Sequence, residues 1–146
     1  MPDILHRIGI RSPSPDGAYR ALTTPEGLSG WWTEDASLEG ADMIHFRFGE
    51  KEDIDMKVLE REPGRHVLWE VVGGPGDWIG TKVRFDLRQD GDFTTALFRH
   101  EGWREPSEFM HACSTKWALF LMSLKALVET GRGAPYPHDA KIYEAH

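Results

Sequence analysis

The sequence has 146 residues, 40% hydrophobic and 28% charged, which is enough apolar material for one packed domain over residues 1–146 and too much for a disordered chain. Its 24 acidic against 17 basic residues give a formal net charge of -7, a field that repels phosphate backbones and argues against a nucleic-acid partner. The single cysteine, Cys113, excludes an internal disulfide and a cysteine-rich zinc site, and no signal-peptide run or membrane-length apolar stretch occurs, so the expectation is a cytoplasmic protein without membrane insertion.

Ile4, Ile8 and Ile10 fall on one face of an extended segment, with Arg7 and Arg11 on the other, so residues 3–11 read as a strand buried on one side. Ser12-Pro13-Ser14-Pro15-Asp16 then offers Ser14 as a helix cap, Pro15 at the first helical position and Asp16 against the positive helix end. A short helix through Leu22 follows. Thr24-Pro25-Glu26 repeats the start signal, and the second short helix ends around Gly30-Trp31-Trp32.

From Ala36 to Glu101 the period changes to two. Ile44, Phe46 and Phe48 share one face, as do Ile54, Met56 and Val58, then Val67, Trp69 and Val71, then Val83, Phe85 and Leu87. Turns are signalled at residues 49–53, at Pro63-Gly64, over residues 73–77 and over residues 89–92, spacings that suit a meander of antiparallel hairpins. In the last strand, 93–101, Ala96, Phe98 and His100 are expected inward and Phe93, Thr95, Leu97 and Arg99 outward. Ser107 and Glu108 open a helix of about 24 residues that stops at Thr130-Gly131. It carries the apolar stripe Met110, Cys113, Trp117, Phe120, Leu124 and Leu127. Residues 136–146 read as a polar tail on the surface.

These elements specify an α+β fold in which a curved antiparallel sheet of six to seven strands wraps a long C-terminal helix, with two short helices after the first strand. A helix roughly 10–12 Å wide cannot cover that many strands spaced about 4.8 Å apart unless the sheet curls around it. Curling with incomplete filling leaves a hollow, which inward Trp69, Phe85, Phe98, Met110 and Trp117 would line. The alternative is that these side chains fill the space themselves.

The element order, with Ala21-Leu22-Thr23-Thr24-Pro25-Glu26-Gly27-Leu28-Ser29-Gly30-Trp31-Trp32, resembles the START-like or SRPBCC superfamily. The segment from Trp117 to Gly131, followed by Pro135 and preceded by the His100-Glu101-Gly102-Trp103 turn, is similar to the branch named after the activator of heat-shock-protein-90 ATPase. The resemblance implies a helix-grip fold and a pocket for a hydrophobic or amphipathic small molecule. The 146 residues read as a single domain, with no expected counterpart of the ATPase-binding portion of the eukaryotic co-chaperone, so chaperone activation is not carried over.

His45, His66, His100 and His111 are the groups suited to proton transfer near neutrality, and none lies in a metal-ligand motif. His100, beside Glu101 near the inner end of a strand, is the acid–base candidate, against the reading of a hydrogen-bonded structural histidine. Cys113 on the buried stripe reads as packing, with nucleophilic pairing to His100 as the alternative. The 73–78 loop matches no phosphate-binding pattern and reads as a hairpin whose Trp78 can cover a pocket mouth. Trp31, Trp32, Trp78 and Trp103 sit near element ends, where aromatic bodies with one polar handle suit an amphipathic ligand or staple helices to the sheet.

The expected site is therefore Trp69, Trp78, Phe85, Phe98, His100, Trp103, Met110, Cys113 and Trp117 around a hydrophobic or aromatic small molecule, with no metal and no cofactor. A cyclase- or hydrolase-type enzyme using His100 and Glu101 in the same pocket is the second reading. A protein-interaction module is the third, and a homodimer is compatible with all of them.

Overall fold

Alternation of apolar and polar residues places each strand with one face inward, and in the computed structural model, which describes residues 2–50 and 52–142, this produces seven strands. They are β1 (Ile4–Arg11), β2 (Asp35–Glu39), β3 (Met43–Phe48), β4 (Glu52–Glu62), β5 (His66–Gly73), β6 (Lys82–Asp90) and β7 (Phe93–Glu101). Met1, Lys51 and residues 143–146 lie outside the described residues, and with them the middle of the first expected turn and the end of the expected tail. The sheet order is β1-β7-β6-β5-β4-β3-β2, antiparallel throughout. Strand β2 was not singled out in the sequence because it has no buried residue to mark a face.

β1 and β2 occupy opposite edges, so the chain between them must cross the concave side of the sheet. Helices α1 (Asp16–Thr23) and α2 (Pro25–Trp31) make that crossing. α1 begins one residue later than expected: Pro15 is the cap, and its carbonyl accepts from the Tyr19 N–H at 2.9 Å. Ser14 does not cap through its side chain in the expected way, and its Oγ instead accepts from the Asp16 N–H at 3.3 Å. α2 starts as read, with Thr24 Oγ1 accepting from Gly27 N–H at 3.0 Å.

Helix α3 (Glu108–Thr130) is capped by Ser107, which accepts from Met110 N–H at 3.2 Å, and ends at Gly131 in the left-handed conformation, φ 86°. Its closest packing is against β1, α1 and α2. The helix therefore covers one flank of the trough more fully than the other. Register shifts at Asp55/Met56 and Val58/Glu60 mark bulges where β4 pairs with β5, and bulges sharpen the local bend.

Under the covered flank the core is filled. Trp69 and Phe85 pack edge to face at 5.5 Å, Phe85 and Phe98 at 5.2 Å, and Phe98 meets Trp117 at 4.6 Å. Each such buried side chain contributes roughly 1.5–3 kcal/mol. Ala96, Phe98 and His100 point inward from β7, as the sequence suggested. The expected surface tail runs along the open flank over its described part and is anchored there: Asp139 and the preceding Pro135 are buried, and Tyr136 pairs with Thr33 beside the end of α2. Residues 132–142 form a strap across the open flank.

Candidate functional site

On α3, residues 109, 112, 113, 116, 117 and 120 recur at intervals of one and three, which puts them on one side of the helix. Trp117 on that side meets β7, and a cavity of about 490 Å³ opens along the rest of it. Phe109, Ala112, Cys113, Lys116, Trp117 and Phe120 form the helical wall. Opposite it are Phe48 at the end of β3 and Glu52 and Ile54 at the start of β4. Trp32 enters from the end of α2, Pro75 and Trp78 from the β5–β6 loop, and Tyr136, Asp139, Lys141 and Ile142 from the strap.

The aromatic wall is continuous. Trp32 lies 4.9 Å from Trp117, 4.3 Å from Phe46 and 5.6 Å from Phe48, while Trp78 stacks on Trp117 at 5.8 Å and 17°. Trp31, behind this layer, is the staple between helices: its Nε1–H donates to the Ala21 carbonyl at 2.8 Å. The strap is held by an ion pair between Lys116 Nζ and Asp139 Oδ2, and Lys141 donates to the other carboxylate oxygen at 2.8 Å. Burial raises the Asp139 pKa, but the hydrogen bonds from Lys116 and Lys141 outweigh it and hold the carboxyl below its ordinary value.

Of the nine expected ligand-binding residues, Trp78, Cys113 and Trp117 line the cavity. Trp69, Phe85, Phe98 and Met110 are buried in the packed core and do not. The reason is the sideways position of α3, which packs closest to β1, α1 and α2, sets Trp117 on Phe98 and leaves the hollow near β3 and β4. Trp103 is also buried away from the cavity and borders a separate hollow of about 280 Å³ with Asp77 and Arg104.

His100 is fully buried. Its Nδ1 accepts from Trp117 Nε1–H at 3.1 Å, so the ring proton sits on Nε2, which donates to Thr81 Oγ1 at 2.8 Å. Thr81 in turn donates its hydroxyl hydrogen bond to the Trp78 carbonyl at 2.5 Å. Burial pushes the His100 pKa down to about 3, so the ring is neutral and packed between Trp78 and Trp103. It is a positioning group for the two indoles. Glu101 cannot act with it, because neighbouring strand residues face opposite sides. The Glu101 carboxylate lies 3.7 Å from Arg84 and from Arg99 on the outer face.

Cys113 has no hydrogen bond to His100. Its Sγ accepts from Trp78 Nε1–H at 3.4 Å, and burial pushes the thiol up to about 11, which keeps it protonated and poorly nucleophilic. His45 and His66 occupy the outer sheet face, each between two carboxylates: Asp55 and Glu39 at 2.6 and 2.7 Å, Asp86 and Glu60 at 2.7 and 2.8 Å. His111 is exposed on α3. Among the described residues no three His, Cys, Asp or Glu are grouped to hold a metal ion, and no helix is long and apolar enough to cross a membrane.

Sequence reasoning missed Phe48, Ile54, Phe120, Lys116, Tyr136 and Asp139 as wall residues. Ala112, Lys116 and Phe120 were recoverable as residues one or three positions from Cys113 and Trp117 on the same side of α3. The strap gave no signal, since it has no periodicity.

Residues 13–129 match the model of the family described as activator of Hsp90 ATPase homolog 1-like protein. The chain belongs to this family. Among solved structures, this Hsp90-activator-homologue-like chain is similar to the Aha1 dimer from Colwellia psychrerythraea, with 43% identity and a TM-score of 0.82 over 91% of this chain and 100% of that one. It is also similar to protein MLL2253 from Mesorhizobium loti, with 20% identity and a TM-score of 0.75 over 87% and 96% of the two chains. DynU16, from the dynemicin biosynthetic locus, has 20% identity and a TM-score of 0.68 over 90% of this chain and 49% of that one. The latter two show the fold alone. No curated protein matches the sequence. The architecture is the α+β helix grip of the START-like families.

Proposed function

We propose that this protein binds a hydrophobic or amphipathic small molecule in the cavity between α3, the β3–β4 edge and the strap. The carrying observation is the cavity itself: about 490 Å³ of space walled by Trp32, Phe48, Ile54, Trp78, Trp117 and Phe120, with charged groups at its margins. That size and composition suit a ligand pocket. Binding rather than turnover is favoured because the acid–base candidate, His100, is neutral and walled off from the cavity.

The test uses Ala112, a small half-buried wall residue. A thermal-shift screen of lipids, steroids and aromatic polyketides, followed by titration of tryptophan fluorescence, is expected to find a ligand that stabilises the wild type by roughly 2.7 kcal/mol at 100 times its dissociation constant. Ala112→Trp fills the cavity and is expected to abolish binding while the fold survives. Binding that persists in Ala112→Trp, or a screen without a single stabilising compound, would overturn the reading.

The similar protein from Colwellia psychrerythraea is a dimer, and this supports a homodimer here. Light scattering on the same samples is expected to give twice the chain mass. A monomer at all concentrations sinks that part of the proposal.

A further inference from the structure

The cavity's charged groups are not equivalent. Its two ammonium groups are engaged: Lys116 and Lys141 both bind the Asp139 carboxylate, and they also lie over ring faces of the wall, Lys116 5.0 Å from the Phe120 centroid and Lys141 5.1 Å from that of Tyr136. The remaining carboxylates of the wall, Glu52 and Glu108, make no ion pair or hydrogen bond among the described residues. Glu108 occupies the first turn of α3, where the positive helix end offsets part of its charge. Glu52 has no such compensation.

Glu52 stands directly across from Phe48 in the β3–β4 register, so the carboxylate and the ring share one side of the sheet. Cys113, on the facing helix, senses that charge. After burial, the fields of Glu52 and Asp77 add to the upward displacement of its thiol, against the Trp78 hydrogen bond. The end of the cavity bounded by Phe48, Trp78 and Cys113 is thus electronegative and rich in ring faces that carry no cation among the described residues. Aromatic faces attract ammonium groups, more strongly where water is excluded, and a nearby unpaired carboxylate acts in the same direction.

From this juxtaposition we propose that the ligand is an amphipathic cation, an ammonium group on an apolar or aromatic body, with the charged end held near Glu52 by the faces of Phe48 and Trp78. This rests on the reading of the cavity as a ligand site and names the chemistry it selects. An anionic amphiphile is disfavoured at the same end by Glu52, and a neutral one gains only apolar burial.

Three probes that differ only in head group separate the alternatives: octyltrimethylammonium, octanol and octanoate, titrated at equal ionic strength below their micelle concentrations and followed by tryptophan fluorescence. Octyltrimethylammonium is expected to bind about tenfold more tightly than octanol, and octanoate more weakly than octanol. In Glu52→Gln, which keeps the side-chain size, the advantage of octyltrimethylammonium over octanol is expected to fall to about twofold. Equal affinities for the three probes, tighter octanoate, or an advantage that survives Glu52→Gln overturns the inference while octanol binding keeps the cavity reading intact. If none of the three binds, both readings fall. Ammonium binding that survives Ala112→Trp comes from the acidic surface, and it too overturns the inference.

Discussion

A proton at His100 has nowhere to go. Both ring nitrogens are committed, Nδ1 to Trp117 and Nε2 to Thr81, and the folded protein keeps the ring neutral down to about pH 3. In the unfolded chain the same ring titrates near 6.5. The unfolded state therefore binds the proton first as the solution is acidified, and stability that is complete above pH 6.5 is lost as pH falls below it, with a limiting slope of about 1.4 kcal/mol per pH unit. His45 has the opposite sign. Hydrogen bonds to Asp55 and then Glu39 raise its pKa, so its contribution is present below 6.5 and is lost as pH rises through the raised value. Depressed carboxylates such as Asp139 lose their contribution only at lower pH, as they protonate through their folded pKa values. Urea unfolding of the wild type is expected to show stability falling between pH 6.5 and 5, and His100→Gln should flatten that limb. A wild-type stability that is level across this interval contradicts the neutral-histidine assignment.

Helices α1 and α2 meet more closely than most side chains permit. A Cβ at Gly27 would stand 2.5 Å from Ala21 Cα and 2.6 Å from the Arg20 carbonyl oxygen, both backbone atoms that cannot swing aside. Gly27→Ala is expected to force the pair apart and cost about 1–3 kcal/mol, read as a lowered midpoint in thermal unfolding. A midpoint within error of the wild type would mean the helices are not in this contact. Such proximity was invisible in the sequence, where Gly27 looked like one more residue of a short helix. The start of α2 was legible because a Thr cap followed by proline has one strong local solution, whereas Ser14-Pro15 had two and the proline took the cap position. The stop of α3 was also legible, since Gly131 supplies the left-handed residue that ends a helix.

Across the whole molecule, alternation in β3 to β7 and the long stripe of α3 were enough to specify a sheet curled around a helix. They were not enough to say where in the trough the helix would lie. Its sideways position decides which aromatic residues are core and which are wall, and it depends on β1, α1 and α2, contacts separated by a large part of the chain. Trp69, Phe85 and Phe98 could therefore be read as inward but not as covered. The inner end of β7 shows the same limit: His100 was correctly read as inward, yet Thr81 and Trp117, which make it structural, come from distant segments. Cys113 and Trp117, read from the helix stripe, and Trp78, read from the 73–78 loop, are the ones that reach the cavity wall.

The pairing of the first strand with the last has a consequence for the protein as it is made. β1 is matched residue for residue with β7, Ile4 against His100 and Arg11 against Phe93, and among the described residues no other strand borders it. At ordinary translation speeds the segment between them takes on the order of 5 to 20 seconds to emerge. Throughout that interval the nascent first ribbon presents an edge of unpaired N–H and C=O groups, and the sheet can be completed only after its seventh member has left the ribosome.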